Sequence, residues 1–172
     1  MVRKLQRAKP LPGGHAMVVE LMPGEVALGQ CGDQLKTLLG SCVSVILTDP
    51  RRTVGAMCHI VHVGTPNAAN AKNTAYGEVA INAMFARLRA VGVDPRQCDA
   101  YVFGGGNMFP QQYGVRHVGV ANVDWVLDTL HAQGIHVIDH CLGGTGYRKL
   151  LWTVGPDEPQ VQTVSTETGT RP

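Results

Sequence analysis

The sequence predicts an α+β fold. Short apolar runs bounded by Gly, Pro and Asp outnumber segments with a helical period, and only two substantial helical segments occur. These two do not alternate regularly with the strands, which argues against a doubly wound sheet. With 172 residues and 44% hydrophobic side chains, the chain suits one domain with a real core.

The domain is expected over residues 17–164. It follows a disordered arm (residues 1–16) that carries Arg3, Lys4, Arg7 and Lys9, then Pro10, Pro12, Gly13 and Gly14. Met17–Leu21 is a strand ended by Pro23-Gly24. After a turn at Gly32-Asp33, Leu35–Leu39 is a second strand that runs into Gly40-Ser41. Cys42–Thr48 is rich in β-branched residues and stops at Asp49-Pro50; Thr53–Val63 is its hairpin partner. Gly64–Lys72 is a polar loop. The period changes from Asn73: Ile81, Met84, Phe85, Leu88 and Val91 share one helix face, which ends at Gly92. Ala100–Phe103 is a strand leading into Gly104-Gly105-Gly106. A second helix is expected from Asn122 as N-cap, with Val123, Val126, Leu127 and Leu130 inward and Gly134 at its end. Ile135–Ile138, Leu150–Val154 and Val161–Val164 close the strands, and the tail 165–172 frays.

Composition excludes several classes. A net charge of +2 gives no reason to expect nucleic acid. No apolar run approaches the ~18 residues of a membrane span, and no apolar stretch follows the basic start as a signal peptide requires. Five cysteines without a CxxC pair fit a reducing cytoplasm rather than a disulfide framework.

The chemistry concentrates in Leu38-Leu39-Gly40-Ser41-Cys42-Val43 and Gly55-Ala56-Met57-Cys58-His59. Hairpin pairing of the two strands can set Cys42 beside His59, and a thiol beside an imidazole is a nucleophile with its base. Gly40 and Ser41 admit close backbone approach, so N–H groups there can hold an oxyanion. The alternative is a small buried hydrophobe at a strand start. Cys58 must face away from His59 and is expected in the core. His136 and His140 share a strand face, but solvated histidines are the simpler reading, and no metal is expected. Gly104-Gly105-Gly106-Asn107 lacks the spacing of a nucleotide loop, so no such cofactor is expected; it reads as tight turns against the site loop. Met108-Phe109 reads as core.

Taken together, the chain resembles the CheD family, the chemoreceptor glutamine deamidases of bacterial and archaeal chemotaxis. The marks are Pro23-Gly24-Glu25, Thr37 to Val43, Gly55-Ala56-Met57 with His59, and Tyr76 with Ala80. Phe103-Gly104-Gly105 with Met108-Phe109, Gly119 with Asn122, and Gly143-Gly144 with Arg148-Lys149 continue the set. The resemblance implies a layered α/β/β sandwich of mixed sheets with two main helices on one side. It implies a site of Cys42, His59 and Thr37, with Gly40, Ser41, Gly104 and Gly105 forming the oxyanion and substrate loop. The implied reaction converts a receptor glutamine to glutamate through a Cys42 thioester, releasing ammonia and using no cofactor. Methyl-accepting chemotaxis receptors are the implied substrates, and a CheC-type phosphatase is a further implied partner. The competing class is a mainly regulatory adaptor. A peptide-bond protease is a third reading, and the chain lacks the papain-like CGSCW segment.

Overall fold

The computed structural model describes residues 9–10, 16–112 and 117–165. Among the described residues ten strands and two long helices run in the order β1 (Lys9–Pro10), β2 (Met17–Leu21), β3 (Val26–Gln30), β4 (Gln34–Leu39), β5 (Val43–Thr48), β6 (Val54–Cys58), α1 (Gly77–Ala90), β7 (Asp99–Gly104), α2 (Val118–Ala132), β8 (His136–Leu142), β9 (Gly146–Thr153) and β10 (Gln160–Ser165). The arm expected over 1–16 lies mostly outside the described residues, apart from Lys9-Pro10, which pair with Met17-Val18. The tail beyond Ser165 also lies outside them.

The strands form two five-stranded sheets, β1-β2-β4-β9-β10 and β3-β6-β5-β7-β8. Both are mixed: β2 runs parallel to β4 and β7 parallel to β8, while the other pairs are antiparallel. The sheets pack face to face through Leu21, Leu35, Leu39, Leu150 and Trp152 of one and Ile46, Met57, Tyr101 and Phe103 of the other. The opposite face of the second sheet carries both helices over Val43, Val45, Leu47, Ala56 and Val102. The layers are therefore α/β/β, as expected. β5 lies in the middle and is buried along its whole length, which explains its near-continuous apolar sequence. β4 and β9 have a helix-free outer face and alternate instead.

Several boundaries differ from expectation for tertiary reasons. β3 has no strong sequence signal, because Ala27, Leu28 and Gly29 are indifferent strand formers. Its ladder with β6, from Val26↔Cys58 to Gln30↔Val54, makes it a strand. The strand expected to reach Val63 ends at Cys58, because the Val61 and His62 amides turn to the Ala75 carbonyl. Val91 lies beyond α1, with its N–H on the Leu88 carbonyl, and is exposed. α2 begins at Val118, capped by His117, whose Nδ1 accepts from the Gly119 N–H at 3.1 Å. Asn122 is therefore inside the helix and is not its cap.

Candidate functional site

Thr37 lies on the inward row of β4 between Leu35 and Leu39, where a hydrocarbon would be the ordinary choice. The parallel register sets it beside Leu21, and its Oγ1 donates to the Leu21 carbonyl at 2.7 Å. The same oxygen lies 2.8 Å from His59 Nδ1. A hydroxyl has one proton, and a carbonyl can only accept. With that proton on Leu21, His59 Nδ1 must carry the hydrogen and donate to Thr37. Nε2 is left as the basic nitrogen of the neutral ring.

His59 follows the last residue of β6. Its N–H bonds the Glu25 carbonyl at 3.0 Å and its carbonyl takes the Gly24 N–H at 2.9 Å. The Pro23-Gly24-Glu25 turn thus grips the histidine backbone from both sides. The ring is nearly fully buried, and this burial pulls its pKa below the ordinary imidazole range. The Leu21 carbonyl and the Glu25 charge oppose that shift.

Cys42 stands just before β5. β5 and β6 pair at Ile46↔Met57, and Val43 bridges Ile60. Carried along, this register sets Ser44 opposite His59, with Cys42 next along the same face, toward the inter-sheet layer. Cys58 points the other way into the helix-facing core, where burial pushes its thiol up to about 12. Cys58 is therefore in the core, as expected, and Cys42 faces the other layer. Cys42 is half-buried; burial also raises its pKa, partly offset by its own backbone N–H. Both shifts favour the neutral forms, a thiol on Cys42 and an uncharged imidazole on His59.

The segment Gly40–Cys42 is held from outside. The Gly106 N–H bonds the Gly40 carbonyl and the Gly105 N–H bonds the Cys42 carbonyl, each at 2.9 Å. At Gly104 (φ 114°) a Cβ would sit 2.1 Å from the Cys42 carbonyl oxygen, so only glycine fits. Gly104 and Gly105 therefore brace the loop, and the Gly105 N–H is already engaged. The Gly104 carbonyl takes the Gly143 N–H at 2.9 Å, and Arg148 Nη2 donates to the Gly143 carbonyl at 2.7 Å. Met108 packs on Gly40, but Phe109 is 59% exposed and is not core.

Sequence reading missed the burial of three polar residues. Arg148 is buried and props the Gly143 turn. Asn122 is buried, and its Nδ2 donates to the Ser41 carbonyl at 3.1 Å and the Val61 carbonyl at 3.4 Å. Ser44 is fully buried, and its hydroxyl has no partner among the described residues. The available signal was a polar residue at an apolar position of a periodic segment, which shows burial but names no partner. Ser44→Ala is expected to leave stability unchanged or raise it by about 1 kcal/mol, because an unpaired buried hydroxyl costs ~1–3 kcal/mol. The urea midpoint of the variant checks this.

His136 and His140 do not share a face. A bulge between Ala100 and Tyr101 in the pairing sets His136 beside Asp99 but His140 beside Val102, so one extra residue reverses the alternation. Among the described residues no helix is long and apolar enough to cross a membrane.

The family model for CheD, described as chemotactic sensory transduction, matches residues 62–163. This chain belongs to the CheD family. A relative from Albidiferax ferrireducens, named a probable chemoreceptor glutamine deamidase CheD 2, is 36% identical over 157 residues, covering 87% of this chain and 90% of the relative. A Dechloromonas aromatica protein with the corresponding name, CheD 3, is 35% identical over 138 residues, covering 79% and 81%. A Pseudomonas syringae pv. tomato protein, also named a probable chemoreceptor glutamine deamidase CheD, is 32% identical over 140 residues, covering 80% and 83%. The CheD match begins at His62, beyond Thr37, Cys42 and His59.

Proposed function

We propose that this chain is a chemoreceptor glutamine deamidase that works through a Cys42 thioester, with His59 as base and acid and Thr37 holding the ring. The observation that carries the reading is the Thr37–His59 hydrogen bond, which reserves Nε2 for proton transfer on the face that Cys42 shares. The names of the family relatives supply the substrate class: glutamine side chains of chemotaxis receptors.

His59 Nε2 takes the Cys42 proton as sulfur attacks the glutamine amide carbon. The N–H groups of Ser41 and Cys42 hold the resulting oxyanion, each worth about 3 kcal/mol. His59 returns the proton to the amide nitrogen, which leaves as ammonia, and a thioester remains. Water then gives a proton to His59 and attacks the thioester carbon. The thiolate leaves, recovers its proton from His59, and the product is glutamate. The raised Cys42 pKa and lowered His59 pKa favour a thiolate that forms as the substrate is attacked, with His59 as base.

The test is intact-mass spectrometry of a chemoreceptor cytoplasmic fragment incubated with the wild-type protein or with Cys42→Ala. The expected result is a gain of about 1 Da per converted glutamine with wild type alone. The chain length of the fragment stays unchanged, which separates a deamidase from a protease. Turnover by Cys42→Ala would overturn the assignment of the nucleophile, and no turnover by wild type across several receptors would favour the adaptor.

A further inference from the structure

We infer that Asn122 is a positioning residue for this reaction: its side-chain amide clamps the peptide that carries the nucleophile to the segment just after the base. The inference rests on the deamidase reading for its activity readout only. It also stands on geometry.

Asparagine is a poor helix former, and Asn122 lies within α2, 1% exposed, among positions otherwise taken by Val126 and Leu130. Its Nδ2 reaches two carbonyls from two different segments, Ser41 and Val61. Both carbonyls lie just past the last bridge of the β5–β6 ladder, Val43↔Ile60. There the ladder has ended and supplies no N–H, and Asn122 takes its place. One side chain thus joins the residue before Cys42 to a residue two beyond His59.

The bond to Ser41 has a directional consequence. In a planar trans peptide the carbonyl of one residue and the N–H of the next point opposite ways. Pulling the Ser41 carbonyl toward α2, in the helix layer, turns the Cys42 N–H away from that layer, to the side where the thiol and His59 lie. That N–H favours the Cys42 thiolate, and in the proposed reaction it is one of the two oxyanion donors. The Gly105 N–H on the Cys42 carbonyl fixes the next peptide, so Cys42 is held on both sides. The second amide atom, Oδ1, is buried without a partner among the described residues. The amide is therefore retained for its donor.

The experiment compares Asn122→Ala and the smaller change Asn122→Ser with Val126→Ala, a fully buried apolar position one turn along the same helix. Each is assayed at a temperature where circular dichroism shows it folded. Receptor deamidation gives kcat and KM. Alkylation by iodoacetamide, followed cysteine by cysteine with exposed Cys31 as internal reference, reports on the Cys42 environment. Both Asn122 variants are expected to lose about tenfold or more in kcat with KM changed less than about twofold, because misplacing a reacting group is costlier than weakening its binding. Both are expected to alkylate more slowly at Cys42 and unchanged at Cys31. Val126→Ala is expected to melt earlier yet keep kcat and Cys42 alkylation within about twofold of wild type. Wild-type kcat and wild-type Cys42 alkylation in the Asn122 variants would overturn the inference, as would an equal loss in Val126→Ala. A wild-type protein that deamidates nothing would refute the deamidase reading alone, and the alkylation comparison would still decide the role of Asn122.

Discussion

His59→Ala is expected to lower receptor deamidation by about 10³-fold, inside the 10²–10⁴ range typical of a positioned acid–base group. The fold should remain, because the backbone bonds to Gly24 and Glu25 do not involve the ring. The pH profile of the wild type is the sharper test. Burial lowers the His59 pKa and raises that of Cys42. Activity needs neutral His59 to receive a proton and neutral Cys42 to supply one. The kcat/KM profile should therefore be bell-shaped, its acid limb below the ordinary imidazole range and its alkaline limb above the ordinary thiol range. An acid limb at or above the ordinary imidazole value would refute the lowered His59 pKa, and thiolate absorbance at neutral pH that is lost in Cys42→Ala would refute the neutral resting state. Stability follows the same sign: the unfolded chain protonates this histidine first, so the contribution of His59 is complete at neutral pH. It falls as the pH drops from the ordinary imidazole range toward the folded value.

Gly104→Ala is expected to be the most damaging single-methyl change at the site. The new Cβ would lie 2.1 Å from the Cys42 carbonyl oxygen, a main-chain atom that no rotamer change can move away. The φ of 114° adds strain for any residue with a side chain. Gly104 is also paired with Val43 in the β5–β7 ladder, so relief must displace β5 itself. A cost of about 3–4 kcal/mol follows from backbone strain plus overpacking. At ~2–4 °C per kcal/mol for a chain of this size, the melting temperature should fall by about 10 °C. Activity should fall further than stability, since the Gly105 N–H that holds the Cys42 carbonyl belongs to the same turn. A variant that melts within about 2 °C of wild type would show that the loop is softer than its hydrogen bonds imply.

Much of this was legible in the sequence because it is local. The turn at Gly40-Ser41, the β-branched run of β5 and the stop at Asp49-Pro50 are short-range signals, and they placed the β5–β6 hairpin correctly. Period-two alternation separated Cys58 from His59 onto opposite faces, and the structure keeps that separation. The 3.6-residue spacing of Ile81, Met84, Phe85 and Leu88 marked the buried face of α1. Asn122 was misread because a helix N-cap and a buried mid-helix amide look alike without a partner in view. His136 and His140 were misread because a bulge changes which face a residue occupies without leaving a composition mark.

The sequence by itself determined which groups are available: one thiol after a Gly-Ser turn, one histidine at the end of its partner strand, and a threonine upstream. It also determined that their strands pair, since hairpin register follows from neighbours along the chain. The tertiary structure alone decided which hydrogen bonds these groups make. Thr37 reaches His59 only because β2 and β4 run parallel in one sheet while β6 lies in the other, an arrangement set by packing both sheets around Leu35, Met57 and Trp152. Asn122, Gly104 and Arg148 act on the Cys42 loop across long stretches of chain. Burial, which sets the protonation states of Cys42 and His59, is a property of all the layers together. Local pattern cannot carry such information, because the free energy that selects these contacts arises only when distant segments exclude water from one another.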